Sequence, residues 1–227
     1  MIKHFSQNGR VGFVHPEVDD YAAAMSAPET TLRKRLAAET RERFPDDAVM
    51  MIGPQEAAAL QVLLLLANAQ TVIEVGTFTG YSALAIHEVL PRGGKLVTFE
   101  ANQEHANFAA RYFGATQRNG GAEIELIVGD AHTELPRLMK SNPALFPDVA
   151  FIDAEKTGYR NYYERCKELV GSGGLIIADN TLSCRRKEAG DPDGQAIEKF
   201  NEYVRKDAEV YAVLTTIRDG MTIAYIK

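Results

Sequence analysis

From Pro54 onward, short apolar runs alternate with longer stretches of mixed polarity. "TVIEVG" (71–76), "KLVTFE" (95–100), "EIELIVG" (123–129), "DVAFIDA" (148–154) and "GGLIIADN" (173–180) are rich in β-branched residues and bounded by Gly or Pro, so they predict strands. Helical stretches fall between them, at 80–90, 102–117, 132–140 and 157–170. A strongly apolar helix, "PQEAAALQVLLLLANA", precedes the first strand. Strands separated by helices predict a parallel sheet covered on both faces. The end of the chain differs: only "RDG" separates "EVYAVLTTI" from "MTIAYIK", which predicts a hairpin and an antiparallel pair at one sheet edge. Residues 1–48 read as a helical extension to a single domain over 49–227. Within the extension, "APETTLRKRLAAETRERF" predicts a helix with Pro28 near its start and Glu29 in its first turn. Its basic run, Arg33-Lys34-Arg35, reads as a solvated face.

Composition narrows the classes. A length of 227 residues suits one large α/β domain, and 45% hydrophobic with 25% charged residues is an ordinary soluble balance. The net charge of −6 argues against nucleic acid or an anionic membrane as a partner. Cys166 and Cys184 form no CxxC, which speaks against a disulfide framework or a zinc site. The opening "MIKHFSQNGRVGF" lacks an apolar core of the signal-peptide kind, and "VLLLLA" (62–67) is too short to cross a bilayer. A cytoplasmic protein is expected.

In an open parallel sheet, ligands sit beyond the carboxyl ends of the strands. Those ends are Glu74–Gly76, Glu100, Gly129–Asp130, Asp153–Lys156 and Asp179–Asn180. Acids there can simply cap the next helix. Five acidic ends in succession, two adjoining further polar groups, favour a site. "VIEVGTFTGYSAL" turns from strand to helix through Gly76 and Gly80. It is neither GxGxxG nor GxxxxGK[ST], so dinucleotide and phosphate cradles are disfavoured. Ser82 and the N–H groups at the helix start suit a carboxylate, and Glu100 can take two ribose hydroxyls. A carboxylate on one side and a ribose on the other describe S-adenosylmethionine.

"IEVGTFTGYSAL", "VGDAHTELP", "FIDAEKTGYRNYY" and "GGLIIADNTL" resemble the metal-dependent O-methyltransferases, the group of catechol O-methyltransferase and the caffeoyl-CoA O-methyltransferases. The likeness covers roughly residues 48–227 and is nearest to the small bacterial members of the caffeoyl-CoA branch. It implies a class I S-adenosylmethionine-dependent methyltransferase fold, Rossmann-like, with a mostly parallel seven-stranded sheet. It implies that Met50, Glu74, Gly76, Ser82, Glu100, Asp130 and Ala131 contact S-adenosylmethionine. Asp153, Asp179 and Asn180 would bind a divalent cation, and Lys156 would be the base that activates the substrate hydroxyl. A homodimer is implied too, with the N-terminal extension near the partner's site. Three departures stand out. Glu155 replaces a frequent Asp. "DNTLSCRR" replaces the plant "DNTLWNG", which loses an aromatic wall and brings in Arg185, Arg186 and Lys187. Glu56-Ala57-Ala58 replaces "EGQ" at one edge of the cofactor pocket.

The residues themselves support this chemistry. Two carboxylates and an amide are hard oxygen ligands, which select Mg²⁺, Mn²⁺ or Ca²⁺ and leave about three octahedral positions open. A small aromatic molecule with two adjacent hydroxyls could fill two of them. A turn with an Asx cap is the plainer reading of "ADN". Lys is unfavourable at a helix N-terminus, and beside a cation its ammonium is disfavoured, which suits Lys156 to act as a base. His132 either edges the adenine or merely begins a helix. Tyr159, Tyr162 and Tyr163 either pack the core or touch substrate, with packing expected for most of them. Residues 182–194 have the composition of a mobile insertion, where Arg185 and Arg186 either hold an acidic group of the acceptor or are simply exposed. A catechol-type acceptor is the leading reading. A sugar or antibiotic hydroxyl is one rival, and a cofactor-binding protein without turnover is the other.

Overall fold

Seven strands form one sheet: β1 (Thr71–Val75), β2 (Lys95–Glu100), β3 (Glu123–Val128), β4 (Val149–Ile152), β5 (Leu175–Ala178), β6 (Val210–Thr215) and β7 (Met221–Ile226). Their spatial order is β3-β2-β1-β4-β5-β7-β6. The first five are parallel, and β7 runs antiparallel to both β5 and β6, as the hairpin pattern predicts. This computed structural model describes residues 6–7, 10–11, 14–117, 121–185 and 190–227. A separate short ribbon pairs Ser6–Gln7 with Arg10–Val11.

Eight helices accompany the sheet among the described residues: α1 (Pro16–Ala24), α2 (Thr31–Arg43), α3 (Pro54–Leu66), α4 (Tyr81–Val89), α5 (Gln103–Gln117), α6 (Ala131–Ser141), α7 (Tyr159–Val170) and α8 (Pro192–Lys206). Side chains alternate along each strand, so one strand feeds two cores. Val72 and Phe151 pack with α2, α3, α4 and α5 on one face; Ile73, Val75, Ala150 and Ile152 pack with α6, α7 and α8 on the other. Both faces of the central strands are therefore apolar. This explains why "VAFI" reads as an unbroken run rather than an alternating one.

Three expectations change. The helix in "APETTLRKRL" starts at Thr31, because the Thr30 hydroxyl accepts the Arg33 N–H as an N-cap; Pro28 and Glu29 precede it. Arg33 is not solvated. It lies on the buried stripe with Leu36, Ala37 and Thr40, a spacing of three to four residues, and its guanidinium reaches Glu88 at 3.0 Å. Finally, 182–194 is not all insertion. Asp191 caps α8 by accepting the Gly194 N–H at 2.9 Å, and Pro192 opens the helix. Arg186 and Lys187 lie outside the described residues.

Residues 48–66 have the length and apolar composition of a membrane-crossing helix. They do not form one continuous helix. A 3₁₀ turn, Ala48–Met50, is followed by an extended Met51 and by Gly53, which precedes Pro54 at the start of α3. The 13 residues of α3 span about 20 Å, short of a bilayer core of roughly 30 Å.

Candidate active site

β1 is the third of the seven strands, beside the central β4. From it the chain moves outward through β2 and β3, then returns to place β4 on its other side. At the carboxyl ends of β1 and β4 a cavity of about 430 Å³ opens, where such a reversal of strand order leaves a crevice. Met50, Gly76, Ser82, Glu100, Asp130, Ala131, Asp153, Lys156 and Asn180 all line it. Glu74, near the end of β1, and Asp179, just past the end of β5, are fully buried.

The two sides of the cavity meet at Gly76. Its φ is 105°, and a Cβ there would overlap the Asp153 carbonyl oxygen. Gly80, at φ 94°, admits a helix rather than a ligand: a Cβ would press on the Phe113 ring of α5.

On the β1–β2–β3 side, each Glu100 oxygen already accepts a backbone N–H. Oε2 takes Phe78 at 2.7 Å and Oε1 takes Asn102 at 2.8 Å. Burial raises the Glu100 pKa, and these backbone donors oppose the rise. Each oxygen keeps a further lone pair for a hydroxyl. Glu74, behind it, is pushed up to about 7, chiefly by burial; the Ser82 and Thr98 hydroxyls work against the shift. Asp130 caps α6 by accepting the His132 N–H at 2.9 Å.

The β4–β5 side is built differently. The Lys156 ammonium donates to Asn180 Oδ1 at 2.6 Å, to the Tyr159 hydroxyl at 2.7 Å and to Asp153 Oδ1 at 3.1 Å. Tyr159 in turn donates to the Asp179 carbonyl at 3.0 Å. Asn180 sits at φ 56°, a left-handed conformation that Asn tolerates better than most residues. Asp179 Oδ1 accepts the Asn180 N–H, but Oδ2 is buried with no hydrogen-bond partner. Burial and then the nearby Asp153 charge raise the Asp179 pKa to about 8. An orphaned carboxylate oxygen beside a second carboxylate and an amide oxygen fits a hard divalent cation. Among the described residues no three His, Cys, Asp or Glu groups cluster, so the fit rests on two carboxylates and one amide.

The sequence matches the O-methyltransferase family over residues 23–227. The chain belongs to that family. The match reaches further back than the motifs do and takes in α2. The chain is 35% identical to a caffeoyl-CoA O-methyltransferase of Stellaria longipes, over 76% of this chain and 75% of that one. It is 30% identical to a catechol O-methyltransferase of Niastella koreensis, over 78% and 82%. Its fold overlays that of a Bacillus cereus O-methyltransferase crystallised with S-adenosylhomocysteine. That TM-score is 0.79 at 26% identity, covering 93% of this chain and 97% of the other.

Several residues of this O-methyltransferase escaped the sequence reading. Phe78, Tyr81 and His105 also line the cavity, and so does Tyr162, one of the three tyrosines expected to pack or to touch substrate. The Tyr81 hydroxyl donates to Glu29 at 2.6 Å, and the Arg33 guanidinium lies 5.5 Å from the Tyr81 ring centre. Arg218, in the β6–β7 turn, donates to the Met51 carbonyl at 3.1 Å and pairs with buried Glu56. It thereby ties down the segment that carries Met50. Ala57 and Ala58, where "EAA" departs from "EGQ", are buried and absent from the cavity lining, and Glu56 faces Arg218 and Gly53, so the departure does not reshape the wall directly. His132 pairs with Glu155 at 2.9 Å and stacks on Tyr162, outside the cavity lining. Glu155 lines the cavity and accepts the Tyr162 hydroxyl proton. Tyr159 and Tyr163 are fully buried, as expected for packing residues.

Proposed function

We propose that this O-methyltransferase uses S-adenosylmethionine and a divalent cation, Mg²⁺ first among Mg²⁺, Mn²⁺ and Ca²⁺, to methylate one of two adjacent hydroxyls on a small aromatic acceptor. The observation that carries this reading is that Asp153, Lys156 and Asn180 line the same cavity as Glu100, with the buried carboxyl of Asp179 next to Asn180 and near Asp153. Ser82 and the first N–H groups of α4 receive the donor's carboxylate, and the free lone pairs of Glu100 receive its ribose. Met50, Gly76, Asp130 and Ala131 complete the donor's surroundings. Asp153, Asp179 and Asn180 would hold the cation, which when bound supplies a Lewis acid that favours the ionised form of a phenol. With the cation bound, Lys156 would serve as the neutral amine that takes the phenol proton and becomes the ammonium. Tyr159 anchors the amine by a bond independent of Asp153 and Asn180, so Lys156 keeps its place when those oxygens are engaged elsewhere. The walls fix the attacking oxygen in line with the methyl group, and positioning supplies a large share of such a rate.

The test is methylation of caffeate with and without chelator. Turnover is expected to vanish on chelation and return with Mg²⁺ or Mn²⁺, and the matching monophenol is expected to stay unmethylated. Full turnover by metal-free enzyme, or equal rates on catechol and monophenol, would overturn the reading.

The same reading makes the protein a cytoplasmic homodimer. Val18, Tyr21 and Met25 of α1 and Val62, Leu65 and Leu66 of α3 are exposed apolar residues, as a covered face requires. Sedimentation is expected to give twice the 25.0 kDa chain mass; a monomer at micromolar concentration would refute it.

A further inference from the structure

The β6–β7 hairpin closes in a four-residue turn, Ile217–Gly220, with the Gly220 N–H on the Ile217 carbonyl at 2.8 Å. Its first central residue, Arg218, sits at φ 43°. A hairpin turn with positive φ at that position favours Gly, and a left-handed backbone is uncommon for a long side chain. The surroundings hold the turn in this shape. The Thr181 and Leu182 N–H groups donate to the Gly220 and Asp219 carbonyls at 2.9 and 2.8 Å, and a Cβ on Gly220 would overlap Leu182. Backbone strain of this kind persists where function holds it, so the Arg218 side chain is the place to look. That side chain is 15% exposed and reaches a residue 167 positions earlier in the chain. It donates to the Met51 carbonyl at 3.1 Å and pairs with Glu56, which is fully buried and also accepts the Gly53 N–H. Met51 is extended but belongs to no strand, so no ladder of backbone bonds fixes it. Met50, Met51 and Ile52 all line the cavity that Gly76, Ser82 and Glu100 share.

We propose that Arg218 is a positioning residue for S-adenosylmethionine. From the hairpin edge of the sheet it fixes the backbone of Met50, Met51 and Ile52, and so the wall that these residues give the donor. It acts through them, because its own side chain lies outside the cavity lining. This rests on the reading above that Met50 belongs to the donor's surroundings. A guanidinium suits the task. Its Nη1 carries two N–H groups, one for the Met51 carbonyl and one for Glu56, and it keeps its charge at every working pH. Glu56 in turn holds the guanidinium in place and caps the start of α3, so the segment between the turn and the helix is tied at both ends.

The experiment measures S-adenosylhomocysteine binding to metal-free, full-length protein by calorimetry, with thermal melting in parallel. Arg218→Ala is expected to weaken binding by about tenfold, the worth of one hydrogen bond from a charged group. With Mg²⁺ and caffeate, its KM for S-adenosylmethionine should rise by the same factor while kcat stays within about twofold of wild type, the signature of lost binding rather than lost chemistry. Arg218→Lys should recover part of the loss. Arg218→Gly removes the same side chain but relaxes the backbone, so it should melt above Arg218→Ala and still bind the ligand as weakly. The double variant Glu56→Gln/Arg218→Ala leaves no stranded carboxylate in the core, and it too should keep the loss. Affinity that follows the melting temperature across this set, or that returns in the double variant, overturns the inference, because Arg218 would then serve stability alone. Met50→Ala separates the inference from the reading beneath it. A loss of affinity in Met50→Ala with none in Arg218→Ala overturns the inference alone. No loss in either variant removes Met50 from the donor's surroundings, and the inference falls with it.

Discussion

Glu100 and Asp179 end neighbouring halves of the same sheet, and both are largely or fully buried, yet their surroundings differ. Glu100 is satisfied: two backbone N–H groups hold its two oxygens, and the loops that supply them are part of the fold. Asp179 is left short, with Oδ2 buried and unpartnered beside the Asp153 charge. On the β1–β2–β3 side the carboxylate that faces the cavity is thus held by the chain itself, and the unpartnered oxygen, Glu74 Oε1, lies behind it. The β4–β5 half places two carboxyl groups side by side with one amine, and the crowding helps to hold the Asp179 pKa up at about 8. An unmet buried carboxylate oxygen costs stability, and at Asp179 it stands beside Asp153 and Asn180, whose oxygens could share a cation with it. The donor half and the acceptor half should therefore respond separately to mutation, because separate partners hold them.

The largest effect should come from Lys156→Met, which keeps the stem and removes the amine. Turnover on caffeate is expected to drop by roughly two orders of magnitude or more, the usual worth of a positioned general base. The loss should shrink on a nitrocatechol, whose phenol is already acidic. Affinity for S-adenosylmethionine, measured by calorimetry, should hold, since the donor residues belong to the other half. An unimpaired variant would remove Lys156 from the proton transfer. Donor affinity falling together with turnover would break the separation of the halves.

That separation was legible in the sequence in outline. Strand ends are easy to find where β-branched runs stop at Gly or Asp, and the parallel-sheet rule then gathers them at one edge. The cavity lining accordingly holds Gly76, Ser82, Glu100, Asp153, Lys156 and Asn180. Contacts made across long separations were not legible. Glu56 and Arg218 meet although 162 positions separate them, and no local pattern announces the pair. Arg33 was misread for another reason: its charge suggested water, whereas its register with Leu36, Ala37 and Thr40 put it inside. α8 was missed because "GDPDG" has the composition of a loop, although Asp191 followed by Pro192 is a helix start. In both cases position along the helix outweighed residue type.

A smaller effect separates the halves through pH. Glu74, on the donor side, is held up to about 7 in the folded protein, and Asp179, on the acceptor side, to about 8. Both stand above their ordinary values because burial disfavours the charged form. A carboxyl whose folded pKa is raised binds its proton more tightly folded than unfolded. Its contribution to stability is therefore complete below the ordinary carboxylate range and is lost as pH rises through about 7 and about 8. Metal-free protein should thus unfold more readily in urea at pH 8 than at pH 5. Glu74→Gln carries no titrating proton, and its oxygen can still accept the Thr98 hydroxyl. It should flatten the decline by about 2 kcal/mol. Mg²⁺ should remove the other share: a cation at Asp153, Asp179 and Asn180 stabilises the ionised Asp179 and reaches Glu74 only through the minor influence of the Asp153 charge, since burial is the main cause there. Wild type with Mg²⁺ should then keep only the Glu74 decline, and Glu74→Gln with Mg²⁺ should show almost none. If Mg²⁺ instead cancels the decline in wild type but not in the variant, the two carboxyls are coupled across Gly76. The seam between the halves would then transmit charge as well as divide them.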